Sequence, residues 1–265
     1  MSAIVKAWLD GTLIHDVADP MMKTALGPDS DIDSGPDPDV VSDPRPRTHG
    51  SRNRTRYYGA RIFSLPGYAQ GVTPHETTTI VDMLKRGFLL GPTLHELRFL
   101  RAGETDAEFL TVVAIGPFEA PMRGVRQIVR WAITLEAPDP RAYSMVEQQV
   151  QFAYDAAGAI TPGGSISTPP VIDVKGPGIV ETIRNETTNE LFHLVEENLA
   201  ASDHLVLDVK ARSLTLNGTP RPDLINARDT RWWELQPGVL NTIRIGGTGF
   251  TTSTLVTVKW RDARN

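Results

Sequence analysis

Asp203-His204-Leu205-Val206-Leu207-Asp208-Val209-Lys210-Ala211-Arg212-Ser213-Leu214-Thr215-Leu216-Asn217-Gly218 spells out a pair of strands and the turns that end them. Leu205, Leu207 and Val209 alternate with Val206, Asp208 and Lys210, so one side of the first strand is fully apolar and the other mostly polar. Ala211-Arg212 makes a short connection, and Leu214 and Leu216 resume the alternation. Asn217-Gly218 then predicts a type I′ hairpin turn, because both residues accept a positive φ. No side chain here is placed for chemistry. The pair is a piece of sheet whose use is packing.

Downstream and upstream of it the same pattern recurs in short runs. Strands are expected at Val171–Lys175, Glu181–Asn185, Leu191–Val195, Trp232–Leu235, Asn241–Ile245 and Leu255–Trp260, separated by turns such as Gly176-Pro177-Gly178 and Thr187-Thr188-Asn189. Many short strands with turn signals between them predict an antiparallel β-sandwich over residues 171–265. Residues 156–170, rich in Gly, Ser, Thr and Pro, read as an interdomain linker.

Residues 1–155 read as a separate β domain with one helix. Ile4 to Leu9 is turned by Asp10-Gly11 into Thr12 to His15, and further strands are expected at Arg61–Leu65, Glu96–Leu100, Phe109–Ile115, Arg126–Glu136 and Val146–Tyr154. In Arg126–Glu136 the residues Val129, Trp131, Ile133 and Leu135 form one apolar face, which puts Trp131 in the first core. Thr73-Pro74-His75-Glu76 starts a helix with an N-cap, a proline at the first helical position and a capping-box glutamate. Ile80, Val81, Leu84 and Phe88 then line one stripe as far as Leu90, where Gly91-Pro92 stops the helix.

Residues 27–56 behave differently. Asp29, Asp31, Asp33, Asp37, Asp39 and Asp43 come among prolines, and then the sign reverses through Arg45, Arg47, Arg52, Arg54 and Arg56. So polar a stretch buries too little apolar area to fold alone, and is expected as a charged arm or loop ordered against something else.

The totals narrow the function. At 265 residues two cores are expected, and 40% hydrophobic with 22% charged residues is ordinary for a folded protein. A net charge of −5 argues against binding nucleic acid through phosphate contacts, and the Asp run offsets most of the Arg45–Arg56 run. No apolar run reaches the ~18 residues of a membrane span, and Met1–Ile14 lacks the apolar core of a signal peptide. With no cysteine there are no disulfides and no thiolate metal sites.

Chemical motifs are absent or incomplete. Asp29-x-Asp31-x-Asp33 opens like an EF-hand loop, but Ser34 and Val40 stand where the glycine and the bidentate glutamate belong, so a solvated acidic loop is expected. His75-Glu76 and His95-Glu96 lack the second histidine of a zincin, and His193 with Glu196 and Glu197 is likewise incomplete. Gly246-Gly247-Thr248-Gly249 has no following helix or lysine and reads as a hairpin loop instead of a phosphate cradle. No catalytic, cofactor-binding or metal-ligating residue is assigned, and no cofactor is expected.

Taken together, Thr168-Pro169-Pro170-Val171-Ile172, Gly176-Pro177-Gly178, Thr182-Ile183-Arg184-Asn185, Asp208-Val209-Lys210-Ala211-Arg212 and Leu216-Asn217-Gly218 resemble the distal tail proteins of siphophages. So do Trp232-Trp233-Glu234-Leu235-Gln236-Pro237-Gly238, Asn241-Thr242-Ile243-Arg244 and Val258-Lys259-Trp260-Arg261-Asp262. More diffuse similarity lies in Gly59-Ala60-Arg61-Ile62, Leu65-Pro66-Gly67, Leu97-Arg98-Phe99 and Ala137-Pro138-Asp139-Pro140-Arg141.

The resemblance implies a mainly β chain: an N-terminal split-barrel-like domain with one α-helix, then a galectin-like antiparallel β-sandwich. It implies no enzymatic activity. It also implies a homohexameric ring at the tail tip of the virion, made in the host cytoplasm. Its partners would be the tail tube protein, a tail tip hub or tail-associated lysin, and receptor-binding proteins, with no nucleic acid and no membrane. The other function considered is a carbohydrate-binding module for host adsorption. Adjacent Trp232 and Trp233 point to opposite faces of a strand, so at least one is expected in the core. The His-Asn-Arg cluster of galectins proper is missing.

Overall fold

The computed structural model describes residues 3–19, 21–27, 30–33, 38–39, 43–44, 51–52, 57–88, 93–121 and 127–265. The chain divides between Ala142 and Tyr143 into two compact units. The boundary thus precedes the expected one at 155/156. Residues 156–170 belong to the second unit because Gly158–Ile160 pairs in its sheet and Thr168 is fully buried there.

In the first unit the strands are β1 (Ile4–Leu9), β2 (Thr12–Asp16), β3 (Thr24–Leu26), β4 (Arg61–Gln70), β5 (His95–Arg101), β6 (Glu108–Ala114) and β7 (Ile128–Ala137). They pair antiparallel in the order β2-β1-β5-β6-β7-β4-β3. The two ends of that order meet. Thr24 Oγ1 donates to the Ile14 carbonyl at 2.8 Å, and Leu26 N–H donates to His15 Nδ1 at 3.2 Å. His15 Nε2 lies 3.3 Å from the Ile4 carbonyl, so the ring serves as a clip whose Nδ1 accepts while Nε2 donates. The result is a barrel whose seam is sewn by side chains where a ladder would otherwise run.

Alternation explains the barrel wall. Phe63, Leu65 and Ala69 of β4, and Val129, Trp131, Ile133 and Leu135 of β7, are buried, and their sequence neighbours face out. The helix α1 (Pro74–Gly87) covers one end. The Thr73 hydroxyl accepts the Glu76 N–H at 3.2 Å, and Ile80, Val81 and Leu84 are buried, with Phe88 behind them. Glu76 completes the capping box with the Thr73 N–H and reaches further: Oε2 also takes the Val72 N–H at 2.7 Å, and Oε1 pairs with Lys23. Residues 89–92, with the expected stop Gly91-Pro92, lie outside the described residues, as does Arg126 at the start of the expected sixth strand. No helix among the described residues is long and apolar enough to cross a membrane.

The second unit is a β-sandwich. Its strands are β8 (Ala142–Ala153), β9 (Gly158–Ile160), β10 (Val171–Lys175), β11 (Gly178–Asn185), β12 (Glu190–His193), β13 (Asn198–Leu199), β14 (His204–Asp208), β15 (Ser213–Leu216), β16 (Thr219–Pro220), β17 (Asn241–Thr248) and β18 (Leu255–Arg264). One sheet runs β8-β18-β10-β14-β15-β16. The other runs β9-β17-β11-β12, with β13 beside the start of β11. Leu205, Leu207, Leu214, Val256 and Val258 of the first sheet share a core with Val180, Ile183, Phe192, Ile243 and Ile245 of the second. Asn217 and Gly218 have φ of 50° and 78°, as the expected turn requires, and Asp10-Gly11 repeats this at 46° and 81°.

Two sequence expectations are corrected here. Trp232–Leu235 forms no strand; its backbone meets Thr168 only through a single bridge at Leu235. Gly246, Gly247 and Thr248 continue β17 and do not form a hairpin loop. β11 bulges opposite them between Val180 and Thr182, and a Cβ on Gly247 would sit 1.9 Å from the Ile179 carbonyl oxygen. The glycine permits a close backbone approach across a bulge.

Candidate functional site

The charged arm is tied to the barrel at its base. Asp31–Asp33 is a single 3-10 turn, and Ile32 between the two aspartates is completely buried in the first core. That apolar anchor was invisible among the carboxylates. Beyond it the chain pairs with its own return: Pro38 with Tyr58, Asp39 with Tyr57, then Asp43 with Arg52 and Pro44 with Ser51. Asp29, Asp37, Arg45, Arg47, Arg54 and Arg56 lie outside the described residues.

On the outer face of the β4–β7 pair is a cavity of about 260 Å³. Pro66 and Tyr68 from β4 and Arg130 and Ala132 from β7 form its floor, with Glu119 and Pro121 at the side. Glu119 is fixed there by reciprocal main-chain bonds with Ala132, at 2.9 and 2.8 Å. The exposed Arg130 guanidinium stands 5.5 Å from the centre of the Tyr68 ring, a cation–π arrangement that leaves its donors toward solvent. Gly67 is part of the wall because the Trp131 indole presses on it from inside; Trp131 in turn stacks with Phe118 at 5.8 Å.

In the sandwich, the loop Gln236–Leu240 is held by Asn241, which is fully buried. Asn241 Nδ2 donates to the carbonyls of Gln236 and Val239, both at 2.9 Å, and Oδ1 accepts the Gln236 N–H at 3.0 Å. Asn185, also buried, donates from Nδ2 to Oδ1 of Asn241 at 3.3 Å. Thr187 Oγ1 donates to the Leu240 carbonyl at 3.0 Å. Val239 and Leu240 are thereby presented outward on a backbone already ordered.

The residues singled out in the sequence do not come together as a reactive site. His95 Nδ1 bonds Asp10 Oδ2 at 2.7 Å and steadies the Asp10-Gly11 turn. His193 faces Asn226 and Asp229, while Glu197 pairs with Arg221. Among the described residues no three His, Cys, Asp or Glu side chains converge as metal ligands. Trp233 is buried, with its ring 5.1 Å from Phe192, and half-buried Trp232 meets the same Phe192 edge-on at 5.2 Å. Trp233 is thus committed to the core, and Trp232 rests on it with part of its ring exposed.

The perturbed carboxyls are structural as well. The Lys6 ammonium, 3.0 Å away, and the Ala18 N–H hold Asp16 below the usual aspartate range. Lys23 and the Val72 N–H do the same for Glu76. Asp203 is lowered by Asn217 Nδ2 and the Ala200 N–H, and Asp223 by Arg221, whose own pKa is raised. Each stabilises a turn or cap.

Residues 163–263 match the family described as siphovirus-type tail component, C-terminal domain. Across both units the chain is similar to the solved structure of the Dit protein (gp 19.1) of phage SPP1, described as a paradigm of the hub adsorption apparatus in phages infecting Gram-positive hosts. Identity is 12%, coverage is 97% of this chain and 98% of that one, and the TM-score is 0.69. It is also similar, at 10% identity, 96% and 97% coverage and a TM-score of 0.49, to a chain of the phage p2 baseplate in its activated conformation with Sr. No curated protein matches the sequence significantly. Residues 163–263 of the second unit thus resemble the siphovirus-type tail component C-terminal domain, and the chain as a whole shares the fold of the SPP1 Dit protein.

Proposed function

We propose that this chain forms a homohexameric ring at the distal end of the tail, with one face on the tail tube and the other seating the tip and receptor-binding proteins. The fold shared with the SPP1 hub protein over nearly all of both chains carries this reading. A closed ring fits the surface chemistry. The barrel covers its own strand edges, and the arm of residues 27–56 provides a two-signed element for a heterologous, head-to-tail contact. In this reading the sandwich is galectin-like in form and acts as a docking module, without sugar recognition. Light scattering should give a mass of six copies, and negative-stain images should show a six-fold annulus. A monomer at every concentration, or another symmetry, would overturn the proposal.

A further inference from the structure

We infer that the barrel wall carries two unlike contact patches, and that the one around Ile62 docks on the one around Ile128 of a second copy; this rests on the ring reading above. The strand register assembles the first patch as one row. Ile62 of β4 pairs with Glu136 of β7, and Glu136 with Val113 of β6. Leu94 stands one step past the Val112–His95 pair, opposite Val113. The intervening Phe63, Leu135 and Val112 are buried in the core, so this row points out. Ile62 is 61% and Leu94 58% exposed, and Ile115 beside them is exposed as well.

The second patch lies at the other end of the same ladder. Ile128 pairs with Gln70, whose N–H donates to the Lys23 carbonyl at 2.7 Å. Met21 and Val72 follow two residues from Lys23 and Gln70, and are 80% and 77% exposed. Their backbone is ordered before any contact. Glu76 Oε2 accepts the Val72 N–H at 2.7 Å, Gln127 Nε2 donates to the Val72 carbonyl at 3.0 Å, and Lys23 pairs with Glu76. Aliphatic side chains scattered singly are ordinary on a surface, but two such clusters on ordered backbone mark contact faces.

Charge selects the pairing. Glu136 stands between Val113 and Ile62 in the first patch, and Arg130 follows Ile128 on the same side of β7 in the second. Neither has an ion-pair partner among the described residues. The charges bordering the patches are already matched, Lys23 with Glu76 and Arg98 with Glu96. Glu119 lies a row farther from Ile128, beside Ala132. Two copies meeting through like patches would set Glu136 against Glu136, or Arg130 against Arg130. Unlike patches bring the carboxylate to the guanidinium instead. Ile62 and Gln70 stand at either end of β4, about 26 Å apart at ~3.3 Å per residue, so one chain does not join its own patches. Head-to-tail contact joins them between copies, and such contacts close rings.

The test uses full-length Glu136→Arg and Arg130→Glu variants, with assembly followed by light scattering and folding by thermal melts. Each substitution sets like charges together at every contact, and each variant alone should need at least about tenfold more protein for half-assembly. Mixed in equal amounts, the two should assemble like the unaltered protein, because alternating copies restore an Arg–Glu pair at every contact. Ile62→Asp and Ile128→Asp should also weaken assembly, without recovery on mixing. A six-copy ring indifferent to all four substitutions would assign the patches to a different partner and overturn the inference while leaving the ring standing. Folded charge variants that stay apart when mixed would overturn it equally. Failure of the unaltered protein to assemble at all overturns both readings.

Discussion

Replacing Asn241 with alanine isolates the energetics of the most heavily bonded polar side chain in the sandwich. It removes three hydrogen bonds of 3.0 Å or shorter, two to the carbonyls of Gln236 and Val239 and one from the Gln236 N–H. It also deprives buried Asn185 of an acceptor at 3.3 Å. Each bond contributes about 1 kcal/mol net, and each buried group left unpaired costs more, about 1–3 kcal/mol. Water can reach the outer loop but not the fully buried Asn241 position, so the loss should be about 3–5 kcal/mol.

Thr187→Ala is the internal control. It removes the bonds to the Leu240 carbonyl and from the Thr242 N–H at an exposed site, where water substitutes, for about 1 kcal/mol. Urea unfolding of the full chain, followed by tryptophan fluorescence and fitted separately for each unit's transition, measures both. A loss below about 1 kcal/mol for Asn241→Ala, or equal losses for the two variants, would refute the view that one amide organises this loop.

Two further predictions concern the barrel. In Gly67→Ala the new Cβ would lie 2.3 and 2.4 Å from Trp131 indole carbons and 2.6 Å from the Ala25 carbonyl oxygen, which is backbone and cannot turn away. Destabilisation of about 1–3 kcal/mol or more is expected in a thermal melt; an unchanged Tm would contradict the packing described. Glu76 has a pKa below its ordinary value in the folded protein, so the unfolded chain binds more protons across that interval. Its contribution is complete above the ordinary glutamate range and fades as pH falls through it toward the lowered folded value. Glu76→Gln should therefore flatten the acid side of the Tm–pH curve, and an identical slope in the variant would count against it.

Where alternation was long and uninterrupted, the sequence already announced the structure: β7, β10, β14 and the stripe on α1 stand where their apolar periods put them. Short strands escaped notice because three residues carry no period. Thr24–Leu26 is a strand only because distant β4 offers it an edge, and Gly158–Ile160 only because β17 does. Trp232–Leu235 has a strand's composition, but Arg231 and Leu235 bond two different neighbours, so no ladder forms. Ile32 illustrates the same limit at the arm: a lone apolar residue between aspartates gives no pattern, and its burial depends on a wall assembled from residues far along the chain. The Tyr68–Arg130 cavity was equally hidden, since its floor exists only once β4 and β7 are in register.

The Asn217-Gly218 turn bears on how long the protein keeps its covalent chemistry. In this dipeptide the glycine nitrogen readily attacks the asparagine side-chain carbonyl, releasing ammonia and leaving a ring that reopens to an isomerised, acidic residue. Here Asn217 Oδ1 accepts the His204 N–H at 3.0 Å and Nδ2 donates to Asp203 at 2.9 Å, so the side-chain amide is held by the adjoining strand. The two bonds that set a hairpin's register therefore also slow its spontaneous ageing.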